Sequence, residues 1–220
     1  MIKRLIFDID GTLITGVSFD KAIKNTLARY DLFCEENKQK FISAIPQYEI
    51  KYLSYRKDAY LQHFSQTLGY MLGEDFLETF FYNLGQYAIP NDNEQLVQTI
   101  DQLSKKYELV LLSNYFEKSQ RNRLENIGIN KYFSEYYGEE ICKPQREAYI
   151  SAIGIHKPEE CVMIGDSLEL DINGAKNCGI NTIWINSNRL MQYQVRTISV
   201  DNMNRINERL IRSFEMDLER

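Results

Sequence analysis

The chain has 220 residues, 44% hydrophobic and 26% charged, ample for one large domain or a domain with a sizeable insertion. Its 26 basic and 31 acidic side chains leave a formal net charge of −5, which excludes a broad footprint on a nucleic-acid polymer. No apolar run approaches the roughly 18–20 residues of a membrane span, and Met1 leads almost directly into a core-like segment without a secretory leader. A cytoplasmic location with no membrane partner is therefore expected.

The first element is a strand over residues 3–7, which runs straight into Asp8 and Asp10. Residues 15–89 show no strand pattern. Ser18 is placed to cap a helix through Ala22, Ile23, Leu27 and Tyr30. Pro46 is placed to open a second helix carrying Tyr48, Tyr52, Tyr55 and Leu61, and residues 75–87 read as a third. Pro90-Asn91-Asp92 marks a turn back to a different rhythm. Leu96, Ile100 and Leu103 then predict a helix over 92–106, followed by a strand at 108–112. A helix over 117–126 is closed by Gly128, and a weaker strand lies near 133–137. Pro144 precedes a helix over 145–153, and a strand follows at 161–164. A helix over 170–177, a strand at 182–185 and a C-terminal amphipathic helix within 201–220 complete the order. That last helix carries Met203, Ile206, Leu210, Phe214 and Leu218 in register.

The clear strands are short, apolar and free of polar alternation, as parallel strands buried on both faces are. Alternation with helices after residue 90 predicts an α/β fold. The expected architecture is a Rossmann-like parallel sheet core with helices on both faces (residues 1–14 and 90–220) and an inserted all-helical subdomain (15–89). Cys34, Cys142, Cys161 and Cys178 lack C-x-x-C spacing and have only His63 and His156 as partners, which argues against zinc. They read as free, mostly buried thiols in a reducing compartment.

Ligands of open parallel sheets bind beyond the carboxyl ends of the strands. There the first strand delivers Asp8 and Asp10, and the second Ser113 and Asn114. The weak strand leads to Lys143, and the fourth delivers Asp166 with Asp171 five residues on. Clustered carboxylates favour a cation or a raised pKa, and an all-oxygen set suits magnesium. A carboxylate attacks phosphorus when the phosphoryl charge is neutralised, a task suited to Lys143 and a metal. Residues two apart in an extended segment point the same way, which keeps Asp10 near Asp8 for proton transfer.

The motifs DIDGT (Asp8–Thr12), SN (Ser113-Asn114), KP (Lys143-Pro144) and GDSLELD (Gly165–Asp171) resemble, in order and spacing, those of the haloacid dehalogenase superfamily. The resemblance covers essentially the whole chain. It implies a magnesium-dependent phosphatase acting on a small phosphorylated metabolite, a nucleotide or sugar phosphate, through an aspartyl-phosphate. Asp8 would be the nucleophile and a metal ligand. Asp10 would be the general acid and base, giving the metal its carbonyl, and Asp166 would complete the metal set. Ser113 would bond the phosphoryl group, and Lys143 would neutralise charge. Thr12, Asn114 and Asp171 would serve substrate binding, Thr12 by positioning Asp10 and Asp171 by orienting Lys143 or a metal-bound water. The helical insertion would be the cap that closes over the site and reads the leaving group. Asp10 favours phosphoryl transfer over dehalogenation, because the similar dehalogenases lack it. The GDSLELDINGAKNCG and TIWIN stretches resemble a nucleotidase-like branch. A sugar phosphomutase of the same superfamily and a phosphorylatable regulatory module stand as alternatives.

Plainer readings accompany these. A lone Asp at a strand end is commonly a turn or helix cap, so the coincidence of four motifs carries the assignment. Thr12 also suits a tight turn after Gly11. Tyr48, Tyr52 and Tyr55 suit packing better than a substrate box. Lys51, Arg56 and Lys57 form either an anion clamp or a solvated face. His63 is expected to be structural, Ser167 a cap, and Trp184 a buried strand residue.

Overall fold

The computed structural model describes residues 1–90, 93–186 and 197–216. Its main sheet has six strands: β1 (Arg4–Phe7), β4 (Glu108–Leu112), β5 (Glu135–Tyr137), β6 (Cys161–Gly165), β7 (Asn181–Ile185) and β8 (Thr197–Val200). The spatial order is β5-β4-β1-β6-β7-β8, and every pairing is parallel. The chain thus winds outward from β1 in one direction, returns, and winds outward in the other, as doubly wound folds do. The reversal falls at β1 and β6, which carry the first and fourth acidic motifs.

Period-two alternation explains how both faces are covered. Leu5, Phe7, Leu109, Leu111, Val162 and Ile164 join one apolar cluster with α5 (Asn93–Ser104) and α9 (Glu208–Met216). Ile6, Val110, Leu112 and Met163 join another with α7 (Arg146–Ile153) and the short α8 (Gly174–Asn177). At the amino ends of the strands, buried Arg4 donates to both Glu108 carboxylate oxygens at 3.0 and 2.9 Å and to the Ala152 carbonyl at 2.9 Å.

A third apolar cluster belongs to α1 (Phe19–Arg29), α2 (Glu35–Lys51), α3 (Lys57–Leu68) and α4 (Glu74–Gln86), joined by Phe116 and Cys142. Its interior is largely aromatic. Tyr48 and Tyr55 are buried in it, consistent with packing. Helices α6 (Glu117–Asn126) and α4 lie in close contact, with Gly85 against the Asn122 backbone.

Several local expectations change. The helical stretch is bracketed by a two-stranded antiparallel ribbon, β2 (Ile14–Val17) and β3 (Ala88–Pro90), too short to show a strand pattern in sequence. Ser18 stands before α1 but makes no side-chain cap. Pro46 lies inside α2, which starts eleven residues earlier and is anchored through it by buried Phe41, Ala44 and Tyr48. Tyr52 closes α2, Tyr55 lies in the following loop, and Leu61 belongs to α3. The segment read as a helix over 170–177 is a π turn (Leu168–Asn173) leading into α8. Strand β8 was not anticipated. Residues 201–216 form a short 3-10 turn (Met203–Arg205) and α9; Leu218 and the turn residues Asn91 and Asp92 lie outside the described residues. Of the four free cysteines only Cys142 and Cys161 are buried, and Cys34 is exposed.

Candidate active site

Strand β1 ends at Phe7, level with Leu111 on β4 and Ile164 on β6. The Asp8 N–H continues the ladder to the Ile164 carbonyl at 2.9 Å, which fixes the residue at the sheet edge. The chain then folds back at Gly11, whose φ of +77° is a left-handed conformation that glycine adopts freely. A Cβ at Gly11 would also land on the Asp166 carboxylate. Glycine here serves both the turn and the room that Asp166 needs.

The Lys143 ammonium lies 2.8 Å from Asp8 Oδ1 and 2.5 Å from Asp171 Oδ1, and all three side chains are almost wholly buried. The loop carrying Lys143 is clamped by Asn114: its side-chain amide donates to the Lys143 carbonyl at 2.8 Å and accepts the Lys143 N–H at 2.7 Å. The Lys143–Pro144 peptide is cis. Asp171 is delivered by the π turn, whose start is capped by Ser167 accepting from the Leu170 N–H. The second Asp171 oxygen accepts the Ser167 N–H at 2.9 Å. Tyr149 donates to the Leu170 carbonyl, and Trp184 Nε1 donates to the Asp166 carbonyl at 2.9 Å. Trp184 is thus a buried strand residue, as expected, that also anchors the Asp166 turn.

These placements separate supporting residues from groups that face a ligand. Asn114 and Asp171, expected in substrate binding, spend their polar atoms on Lys143 and on backbone, so the structure gives them a positioning geometry. Thr12 is fully buried and its Oγ1 has no partner among the described residues. Asp10 is instead held by Arg123, whose Nη1 donates to Asp10 Oδ2 at 3.1 Å and whose Nη2 donates to Oδ1. Arg123 and its neighbour Gln120 were missed in the sequence. The signal was the inward stripe of α6, which carries Ser119, Gln120 and Arg123 where a packing helix would carry apolar residues.

Asp8, Asp166 and Asp171 each place an oxygen within 4.8 Å of the others. Burial pushes the Asp8 carboxyl up, to about 7, against the pull of Lys143. Burial and then the Asp8 charge push Asp166 up, to about 6. Burial works to lower the Lys143 pKa, but Asp8 and Asp171 outweigh it and hold it raised. One ammonium serves two carboxylates, and among the described residues no ion pair is formed by Asp166. With both Asp171 oxygens engaged, Asp8 and Asp166 are the pair open to a cation. A donor set of carboxylate oxygens without His or Cys fits a hard divalent ion such as magnesium.

Of the two readings of Lys51, Arg56 and Lys57, their contacts suit the solvated charged face. Arg56 is paired with Asp58 at 2.7 Å and Lys57 with Glu78 at 3.6 Å, while Lys51 lies over the Tyr52 ring. His63 Nε2 bonds the Ala44 carbonyl, a structural contact.

A doubly wound parallel sheet with acidic residues and a buried lysine at its carboxyl edge defines an α/β protein whose candidate site is built on aspartates. The family model of the haloacid dehalogenase-like hydrolases matches residues 2–179, and the chain belongs to that family. It is 30% identical over 206 residues to the glyceraldehyde 3-phosphate phosphatase of Methanothermobacter thermautotrophicus, covering 85% of this chain and 87% of that one. It is 26% identical over 208 residues to the pyrimidine 5'-nucleotidase PynA of Streptococcus pneumoniae (86% and 85% covered). A match to human N-acylneuraminate-9-phosphatase, at 33% identity over 104 residues, spans 44% of this chain and only 42% of that protein. The fold is shared with the magnesium-bound putative hydrolase YfnB of Bacillus subtilis, at a TM-score of 0.63 and 20% identity over 97% of this chain and 98% of that one.

Proposed function

We propose that the chain is a magnesium-dependent phosphatase that hydrolyses a small phosphomonoester, of the nucleotide or sugar-phosphate class, through an aspartyl-phosphate on Asp8. The observation that carries this reading is Asp8 itself: a carboxylate at the sheet switch point, held by Lys143 at 2.8 Å, with Ser113 and Asp166 delivered by the neighbouring strands. The phosphatase and nucleotidase activities named for the relatives support it. Helices α1–α4 would act as the cap. Magnesium, held by Asp8 and Asp166 with the Asp10 carbonyl, would neutralise phosphoryl charge.

In the first step an Asp8 oxygen bonds to phosphorus as the bond to the leaving oxygen breaks, and Asp10 gives that oxygen its proton. Lys143 and the Ser113 hydroxyl stabilise the phosphoryl oxygens. In the second step water bonds to phosphorus as the Asp8–phosphorus bond breaks, and the proton of the water goes to Asp10. Arg123 donates to both Asp10 carboxylate oxygens, so that contact must loosen for Asp10 to reach the leaving oxygen.

A screen of phosphorylated metabolites with and without magnesium tests the reading. The expected result is release of orthophosphate from nucleotide or sugar phosphates with magnesium only, and its loss in Asp8→Asn. Full activity of Asp8→Asn on an aryl phosphate would remove Asp8 as nucleophile, and an isomerised product without free phosphate would mark a mutase.

A further inference from the structure

Gln120 and Arg123 occupy the inward face of α6, buried, at the edge of the site. Arg123 Nη1 donates to Gln120 Oε1 at 2.7 Å, and Gln120 Nε2 donates to Ser113 Oγ at 2.9 Å. A side-chain amide can be turned either way, and its neighbours decide which. Arginine has donors only, so the atom facing Arg123 must be the amide oxygen. That leaves the amide nitrogen facing Ser113. Arg123 is itself locked, since Asp10 takes both of its terminal nitrogens.

The direction of the second bond matters. Ser113 Oγ accepts from Gln120, so the hydroxyl proton is not spent there. The Ser113 backbone N–H is also taken, by the Tyr137 carbonyl at 3.0 Å. The hydroxyl proton therefore remains as the donor that residue 113 can offer. We infer that Gln120 is a positioning residue that turns the Ser113 hydroxyl proton toward the phosphoryl group, with Arg123 setting the orientation of the Gln120 amide. This inference rests on the phosphatase reading. It gives two side chains of α6 a polarity-setting task that packing alone does not require.

The test is steady-state hydrolysis of p-nitrophenyl phosphate with magnesium by the full chain and its variants. Gln120→Leu frees the Ser113 hydroxyl to rotate, and a fall in kcat of about tenfold with KM within about twofold is expected. Gln120→Glu keeps the shape but offers only acceptors, so it takes the Ser113 proton for itself; a larger fall, about a hundredfold, is expected. A merely structural role predicts the reverse order, because the isosteric carboxylate still satisfies Arg123. In a Ser113→Ala background neither Gln120 substitution should cost more than about twofold. If Gln120→Leu does not fold, Gln120→Glu against wild type and Ser113→Ala carries the comparison. Wild-type turnover with Gln120→Glu at or above Gln120→Leu, or near wild type, overturns the assignment, as does a full Gln120 effect without Ser113. Absence of wild-type turnover across the metabolite panel overturns the phosphatase reading and this inference with it.

Discussion

Lys143 stands between Asp8 and Asp171, 2.8 and 2.5 Å from their oxygens, with almost none of its surface in water. Its removal leaves two buried carboxylates without their shared counter-charge. Breaking such a pair from one side is far more costly than the pair's net contribution, because the remaining charge stays desolvated. Lys143→Met is expected to lower unfolding free energy in urea by about 3 kcal/mol and to cut hydrolysis by at least about a hundredfold. The positions of Asp8, Ser113, Lys143, Asp166 and Asp171 were legible because each follows directly from a strand end or a turn after one. What each side chain touches was less legible. Thr12 was expected to hold Asp10, yet Arg123, more than a hundred residues away, does so. A polar residue on a helix reads as solvated unless the neighbouring surface is known, and that surface is tertiary information.

At the scale of elements, the two ends of the sheet share one electrostatic design. The carboxyl end gathers acids around one lysine, and the amino end surrounds one buried arginine with Glu108 and Glu135. Burial works to raise the Glu108 carboxyl, but bonds from His156 and Arg4 outweigh it and hold the pKa below its ordinary value. A carboxylate with a depressed folded-state pKa contributes its full stabilisation above the unfolded value, about 4.3, and loses it as pH falls through the folded value. Glu108→Gln is therefore expected to cost about 2 kcal/mol at neutral pH, reduced because Glu108 is partly exposed and Arg4 keeps other partners. Below about pH 4 the difference from wild type should shrink, as read by urea denaturation across pH. The same scale shows where patterns mislead. Runs of three or four apolar residues identified β1, β4, β6 and β7, but β2 and β3, with Thr15-Gly16 and Pro90 in them, carry no such run to find. Pro46 signalled a helix start and instead lies within α2, because buried contacts on both sides outweigh one lost backbone bond.

The whole molecule joins a sheet packed on both faces to a four-helix layer with its own aromatic interior. The junction is local: Ser113 and Asn114 lie at the candidate site, while the next two residues, Tyr115 and Phe116, enter the helical layer. Phe116 is fully buried, with ring centroids of Tyr55, Tyr60 and Phe81 at 5.5, 5.1 and 4.9 Å. Phe116→Ala is expected to destabilise the protein by about 3 kcal/mol, measured by chemical denaturation, and to reduce turnover by loosening the Ser113 loop. The chain enters and leaves the helical layer through the β2–β3 ribbon, and the Ser18 N–H bonds the Tyr87 carbonyl at 3.0 Å across its mouth. Entry and exit are thus adjacent, as the two ends of a plug are. The seventy residues 18–87 hang from a neck that leaves the sheet register untouched, so insertions, deletions or wholesale exchange between its two strands alter the helical layer without re-threading the scaffold that holds Asp8.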